Sequence, residues 1–196
     1  MKPNSLYAAF PLALMMFAAP AIAHPDVAAS ARLVFHLDGN RLTGLTQILG
    51  FDQTTSRRLT ARFDADQDGT LSDAEREALT SELGDRLSSR DFFLEARLGR
   101  EALDLPPETS VRVDLATGQV TIAADYRWPT ALPLNGQSLS LMLRDRDFTI
   151  AFRFDPERPA VLSGTPGDCE VSVAPEPSEA YFGGLVIPEI LRLTCR

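Results

Sequence analysis

Lysine is almost absent from this chain of 196 residues: Lys2 is the only one. Histidine occurs twice, as His24 and His36, and cysteine twice, as Cys169 and Cys195. Chemistry that needs a buried catalytic amine, a phosphate-cradling lysine or a set of several imidazoles therefore has almost nothing to draw on. Positive charge is also short. Nineteen Lys+Arg stand against 27 Asp+Glu, for a formal net charge of -8. Such a chain cannot lay down the basic stripe that a phosphate backbone demands, which argues against nucleic acid as a partner. Past residue 23 no apolar run reaches the roughly 20 residues of a membrane span; the stretch from Tyr181 to Leu191 is broken by Pro188. What remains, 44% hydrophobic and 23% charged, is ordinary globular composition.

The first 23 residues read as a signal peptide. Lys2 supplies the charge, Leu12 to Ala19 the apolar stretch, and Ala21-Ile22-Ala23 the small-x-small cleavage site. The mature chain then starts at His24, carries 18 basic against 27 acidic residues for a formal charge of -9, and is expected in the periplasm or secreted, with no membrane span after cleavage. An oxidising compartment favours a Cys169–Cys195 disulfide. Closing a loop of about 27 residues, it is worth roughly 3–4 kcal/mol in the chain-entropy model.

Periodicity sets out a single mature α+β domain over 24–196. Leu33, Phe35 and Leu37 alternate, Asp38-Gly39-Asn40 turns the chain, and Leu42 to Leu49 resumes an apolar run, together predicting a β-hairpin. A helical insertion is expected over about 52–90: Leu59 and Phe63 stand one turn apart, and Leu79, Leu83 and Leu87 repeat at helical spacing. The part from about 91 to 196 is β-rich, an antiparallel sheet or sandwich. There Val111, Val113 and Leu115 alternate, as do Val120, Ile122, Ala124 and Tyr126. Leu139, Leu141 and Leu143 lead through a turn at 144–147 into Phe148, Ile150, Phe152 and Phe154, expected to share one face. The Pro/Glu-rich stretch from Val173 to Glu179 is expected to be a mobile surface loop.

The strongest chemical signal lies between the two helices. Asp64, Asp66 and Asp68 occupy positions 1, 3 and 5 of an EF-hand calcium loop, Gly69 the turn at 6, Thr70 the carbonyl ligand at 7, Leu71 the apolar position 8, Ser72 the water-mediated ligand at 9 and Glu75 the bidentate ligand at 12. Ser72 and Glu75 also have capping-box spacing for the second helix. Hard oxygen ligands without His or Cys select Ca²⁺, and Mg²⁺ less well. EF-hands usually come in pairs. With one loop in the chain, Leu71 must pack elsewhere in the fold or across a dimer, and an extracytosolic site of this kind falls in the roughly 10⁻⁴–10⁻³ M class.

As a mature N-terminus, His24 would offer an α-amine and an imidazole together, a chelator for Ni²⁺, Co²⁺, Cu²⁺ or Zn²⁺, with Asp26 as a further oxygen. Pro25 has no N–H to contribute. His36 sits on the hairpin face opposite Leu33, Phe35 and Leu37. No nucleophile–base–orienter set and no Gly-rich phosphate motif is present, so the chain is expected not to be an enzyme.

The ordered set of His24-Pro25, Asp38-Gly39, the EF-hand loop, Phe148 to Asp155, Gly167-Asp168-Cys169 and Leu193-Thr194-Cys195 resembles domain-of-unknown-function family 1007 over essentially the whole mature chain. The resemblance implies an exported bacterial protein of the kind labelled as the periplasmic component of an uncharacterised ABC-type transport system, associated with nickel/cobalt transporters. An inner-membrane metal transporter is the implied partner. Members typically begin His-Pro-His; here the third residue is Asp26. The leading expectation is a non-enzymatic metal-binding accessory or solute-binding component of such a transport system. Against it stand a secreted structural or interaction module in which calcium only stabilises the fold, and a copper enzyme using His24 and His36.

Overall fold

The computed structural model describes residues 25–134 and 136–196, so the expected signal peptide and His24 lie outside the described residues. Strand β1 (Val27–Gly39) buries Ala29, Ala31, Leu33, Phe35 and Leu37 and turns the residues between them to the other face. Its partner β2 (Arg41–Phe51) follows across Gly39-Asn40, with Asp38 opposite Arg41. Helices α1 (Gln53–Phe63) and α2 (Asp73–Ser88) come next, flanking the acidic loop. Nine further strands follow among the described residues: β3 (Leu94–Leu98), β4 (Glu101–Ala102), β5 (Glu108–Ala116), β6 (Gln119–Pro133), β7 (Ser138–Leu143), β8 (Ile150–Phe154), β9 (Ala160–Pro166), β10 (Cys169–Pro175) and β11 (Glu189–Cys195).

They form two sheets, ordered β5-β6-β2-β1-β8 with β9 also on β1, and β10-β11-β7-β3-β4. The chain is α+β, and Cys169 pairs with Cys195 in a disulfide across neighbouring strands. Apolar faces of both sheets and of the helices meet in one core: Leu33, Phe35 and Leu45 from the first sheet, Leu141 and Leu191 from the second, Leu79 and Leu87 from α2.

Long-range pairing departs from the sequence-based expectation in three places. The N-terminal hairpin is the centre of the larger sheet and not a separate unit, because β2 pairs with β6 from Arg41 to Gly50. The β part is not purely antiparallel, since β8 and β9 both run parallel to β1, at Val27–Ala31 and Leu33–Gly39. And β7 does not form a hairpin with β8: it lies between β11 and β3 in the other sheet.

The cause of the sheet change is local. Asp145 is fully buried, and its carboxylate accepts the N–H groups of Asp147 (3.1 Å), Thr149 (2.9 Å) and Ile150 (2.9 Å) and the Thr149 hydroxyl (2.6 Å). These bonds fold 144–149 into a corner that sends the chain across to the other sheet. Phe148, at φ 53°, belongs to that corner and not to the strand, so the expected four-residue apolar face begins at Ile150. The stretch from Val173 to Glu179 is likewise more ordered than expected. It completes β10 and enters a single 3-10 turn, where Glu176 accepts from Arg192 at 2.6 Å and Glu179 from Arg144 at 2.7 Å.

The helical hairpin is bolted to the first sheet by hydroxyls. Ser56 of α1 donates to Phe51 O (3.2 Å) and accepts from Val120 N (3.0 Å), while Thr80 of α2 accepts from Val113 N (3.2 Å). Asp52 caps α1 at Thr55 N (2.9 Å) and takes the N–H of Ala28 on β1 (3.0 Å). The acidic loop is thereby held at the far end of two anchored helices.

Candidate functional site

The loop from Asp64 to Glu75 winds around its own carboxylates. Asp64 ends α1, its N–H bonded to Thr60 O at 2.8 Å, and its two oxygens accept from Asp68 N (3.1 Å) and Gly69 N (2.8 Å). Asp66 accepts from Asp68 N at 3.3 Å, and one oxygen of Asp68 accepts both the N–H (2.8 Å) and the hydroxyl (2.7 Å) of Thr70. Gln67 (φ 60°) and Gly69 (φ 83°) take left-handed conformations, which turn the chain sharply enough for the first three aspartates to face one point. Each can place a carboxylate oxygen so that the three lie within 4.8 Å of one another.

Glu75 closes the loop from its other end. One oxygen accepts from Ala65 N at 2.6 Å and the other from Ser72 N and Ser72 Oγ, both at 2.8 Å, while Ser72 Oγ in turn caps Glu75 N. The first and last ligand positions are therefore adjacent in space. Leu71 is buried, 4% exposed, and joins the core of its own chain. That removes the need for a second loop or a partner to cover it.

The electrostatics are those of crowded acids. The Asp68 N–H favours ionised Asp66, but the charges of Asp68 and Glu75 outweigh it and lift the Asp66 carboxyl above its ordinary range. Glu75 moves the other way, lowered by the Ser72 N–H and hydroxyl and by the Ala65 N–H. The donors are carboxylate oxygens, hydroxyls and carbonyls, with no nitrogen or sulfur among them, a set suited to a hard divalent cation with oxygen coordination.

The other expected ligand set is not assembled among the described residues. Asp26 is exposed and lies beside the helical hairpin, at the mouth of an apolar groove; His24 lies outside the described residues. His36 points to the outer face of the larger sheet, where its Nε2 lies 3.0 Å from Thr46 Oγ1. Thr46 donates to Asp125 Oδ1 at 2.5 Å, so the Thr46 oxygen accepts from His36, which fixes the Nε2–H tautomer. Ser110 (2.7 Å) and Arg112 also bond Asp125. Burial lowers the His36 pKa, helped by Arg127 and opposed by Asp125. This network escaped sequence reasoning because its members sit on four strands and only the register β1–β2–β6–β5 brings them together. The bridging cap at Asp52 was within reach, since an Asp immediately before the first helical turn is an N-cap signal, its carboxylate reaching the N–H three residues on.

The family model described as "Protein of unknown function (DUF1007)" matches residues 9–183. Among curated proteins, the "Uncharacterized 15.5 kDa protein in trpE 3'region" of Spirochaeta aurantia is 29% identical over 133 residues, covering 67% of this chain and 94% of that protein. Neither description states an activity.

Proposed function

Because the chain belongs to the DUF1007 family, whose model spans residues 9–183 and whose description assigns no role, we propose its function from the acidic loop itself: an exported calcium-binding protein of the EF-hand type. Asp64, Asp66, Asp68, the Thr70 carbonyl, Ser72 through water and Glu75 would hold the ion. The observation that carries this reading is the convergence of three carboxylate oxygens within 4.8 Å, with Glu75 folded back onto Ala65 beside them. Bound calcium would neutralise charges that otherwise repel one another, and so tie the end of α1 to the start of α2. The protein acts without catalysis, as an accessory or solute-binding component of a nickel/cobalt-type metal transport system that docks an inner-membrane transporter. This last step rests on the family resemblance, together with a mature terminus in which His24 and Asp26 would take Ni²⁺, Co²⁺, Cu²⁺ or Zn²⁺.

A second reading has its own support. Leu71 packs into the core and both helices are hydroxyl-anchored to the larger sheet, the arrangement of a scaffold that calcium stiffens and nothing more. Calorimetric titration of the chain beginning at His24 separates the two. Calcium binding together with transition-metal binding that one extra N-terminal residue abolishes supports the transport role; calcium binding alone supports the scaffold; no calcium binding at millimolar concentration overturns both.

A further inference from the structure

The large apolar side chains left exposed among the described residues all lie on one loop: Phe182 (37% exposed), Leu185 (81%) and Ile187 (51%). The loop is a built hairpin that closes backbone bonds on itself. Tyr181 N donates to Val186 O at 2.9 Å, Val186 N to Tyr181 O at 3.2 Å, Gly184 N to Tyr181 O at 3.1 Å and Leu185 N to Phe182 O at 3.3 Å. At its foot, Glu176 N donates to Pro188 O at 2.8 Å. An ordered turn that keeps three large apolar side chains in water marks an interaction surface.

Its surroundings say what kind of surface it meets. From Ala180 to Pro188 the chain carries no charged residue. The acids just before it are held by arginines: Glu179 by Arg97 (2.6 Å) and Arg144 (2.7 Å), Glu176 by Arg192 (2.6 Å). Arg97 and Arg192 are more exposed than the carboxylates they hold, so this collar turns guanidinium groups outward. Arg144 also lies over the Tyr181 ring, 5.5 Å from its centroid. Paired ions at the foot, an aromatic ring with a hydroxyl beside them, and Phe182 and Leu185 on the turn follow the order of a lipid–water interface. A pocket in a partner protein can donate hydrogen bonds to a bare turn; hydrocarbon cannot, and it admits only a segment that satisfies its own backbone, as this hairpin does for the four N–H groups above.

We propose that the hairpin 181–187 docks the protein on a lipid bilayer, with Phe182, Leu185 and Ile187 entering the boundary of the acyl chains and Arg97 and Arg192 lying at the headgroup phosphates. A chain of net charge -8 is not drawn by anionic lipid, which recruits basic segments. The apolar turn supplies the attraction, and the outward guanidinium groups relieve repulsion where the two surfaces meet. Three side chains make a weak and reversible anchor, of the order of a single short acyl chain and far from the permanence of a span.

Co-sedimentation of the chain beginning at His24 with vesicles of phosphatidylcholine alone tests this. The expected result is reversible binding, with a partition coefficient lowered roughly tenfold or more by Leu185→Asp, which removes one inserted apolar side chain. Leu185 is exposed in the free protein, so an unchanged thermal melt shows that the variant folds. A second readout locates the contact. The native cysteines are bonded to each other, so a polarity-sensitive dye attaches at the single thiol of Leu185→Cys; its emission is expected to shift to the blue when vesicles are added, while the same dye at Ala116→Cys, on the exposed end of β5, stays unchanged. A chain that does not sediment with the vesicles, binding indifferent to Leu185→Asp, or a dye shift that follows protein concentration without lipid, as pairing between protein molecules would give, would each overturn the proposal.

Discussion

Glu75 is both a cap and a clasp, with one oxygen on Ala65 N and the other on Ser72. Replacing it by Gln keeps most of the shape and removes the charge and one acceptor. Glu75→Gln is therefore expected to weaken calcium binding by about tenfold or more, read by calorimetry; an unchanged calcium-dependent rise in melting temperature would refute the ligand assignment. Gly69 makes a cleaner test of backbone. An added Cβ there meets nothing within 4 Å, but φ is +83°. Gly69→Val should thus cost roughly 1–2 kcal/mol through conformation alone, seen as a lower calcium affinity with the two anchored helices intact. Asp145 is a different case, a fully buried carboxylate whose worth lies in four accepted hydrogen bonds. Asp145→Ala strands those donors and is expected to lower unfolding stability by about 3 kcal/mol, measured from urea midpoints. The convergence of the acidic loop was legible in the sequence because Asp64, Asp66, Asp68 and Glu75 fall within twelve consecutive residues. Asp145 was not, because nothing in its neighbourhood announces that a charged residue between Arg144 and Arg146 will be buried.

Among elements, helices and most strands follow directly from their periodicity. Leu79, Leu83 and Leu87 do line the inner side of α2, and Leu139, Leu141 and Leu143 are all buried in β7. Pairing partners were the illegible part. Alternation says that Ile150 to Phe154 is a strand, but its role as a parallel neighbour of β1 depends on residues more than a hundred positions away. The same limit hid the His36–Thr46–Asp125 network, whereas the Cys169–Cys195 bond could be foreseen because two thiols allow one pairing. That bond clamps β10, an edge strand, to β11. Its removal, by reduction or by replacing both cysteines with Ala, is expected to cost roughly 3 kcal/mol and lower the melting temperature by about 6–12 °C. A calorimetric scan with and without reductant checks this; a shift under about 2 °C would mean that the strand pair holds itself together.

At the scale of the molecule, its paired acids share one direction. Thr55 N–H leads the bonds that bring Asp52 down to about 2. Burial opposes ionisation of Asp145 and Asp125, but bonds from Thr149 and from Thr46 overcome it, and Arg32 lowers Asp155. His36 is lowered by burial. In each case the unfolded chain binds its proton more readily, so the stability these groups contribute is complete above their ordinary values and is lost as pH falls. The loss begins with His36 below its ordinary 6.5 and continues with the aspartates from 3.8 toward about 2. Asp66 has the opposite sign, a cost at neutral pH that either protonation or a bound cation relieves. Urea midpoints taken in chelator from pH 7 to pH 3 should therefore fall continuously; a rise on acidification would contradict this account. The sheet order also has a consequence in time. A chain delivered N-terminus first can close the β1–β2 hairpin early, yet the outer edge of β1 must wait about 110 residues for β8 and β9. Throughout that wait its backbone groups are open to any other extended strand. The molecule is thus most exposed to error while it is still being delivered, and a chaperone that shields extended segments should raise its yield more than any mutation that stabilises the finished fold.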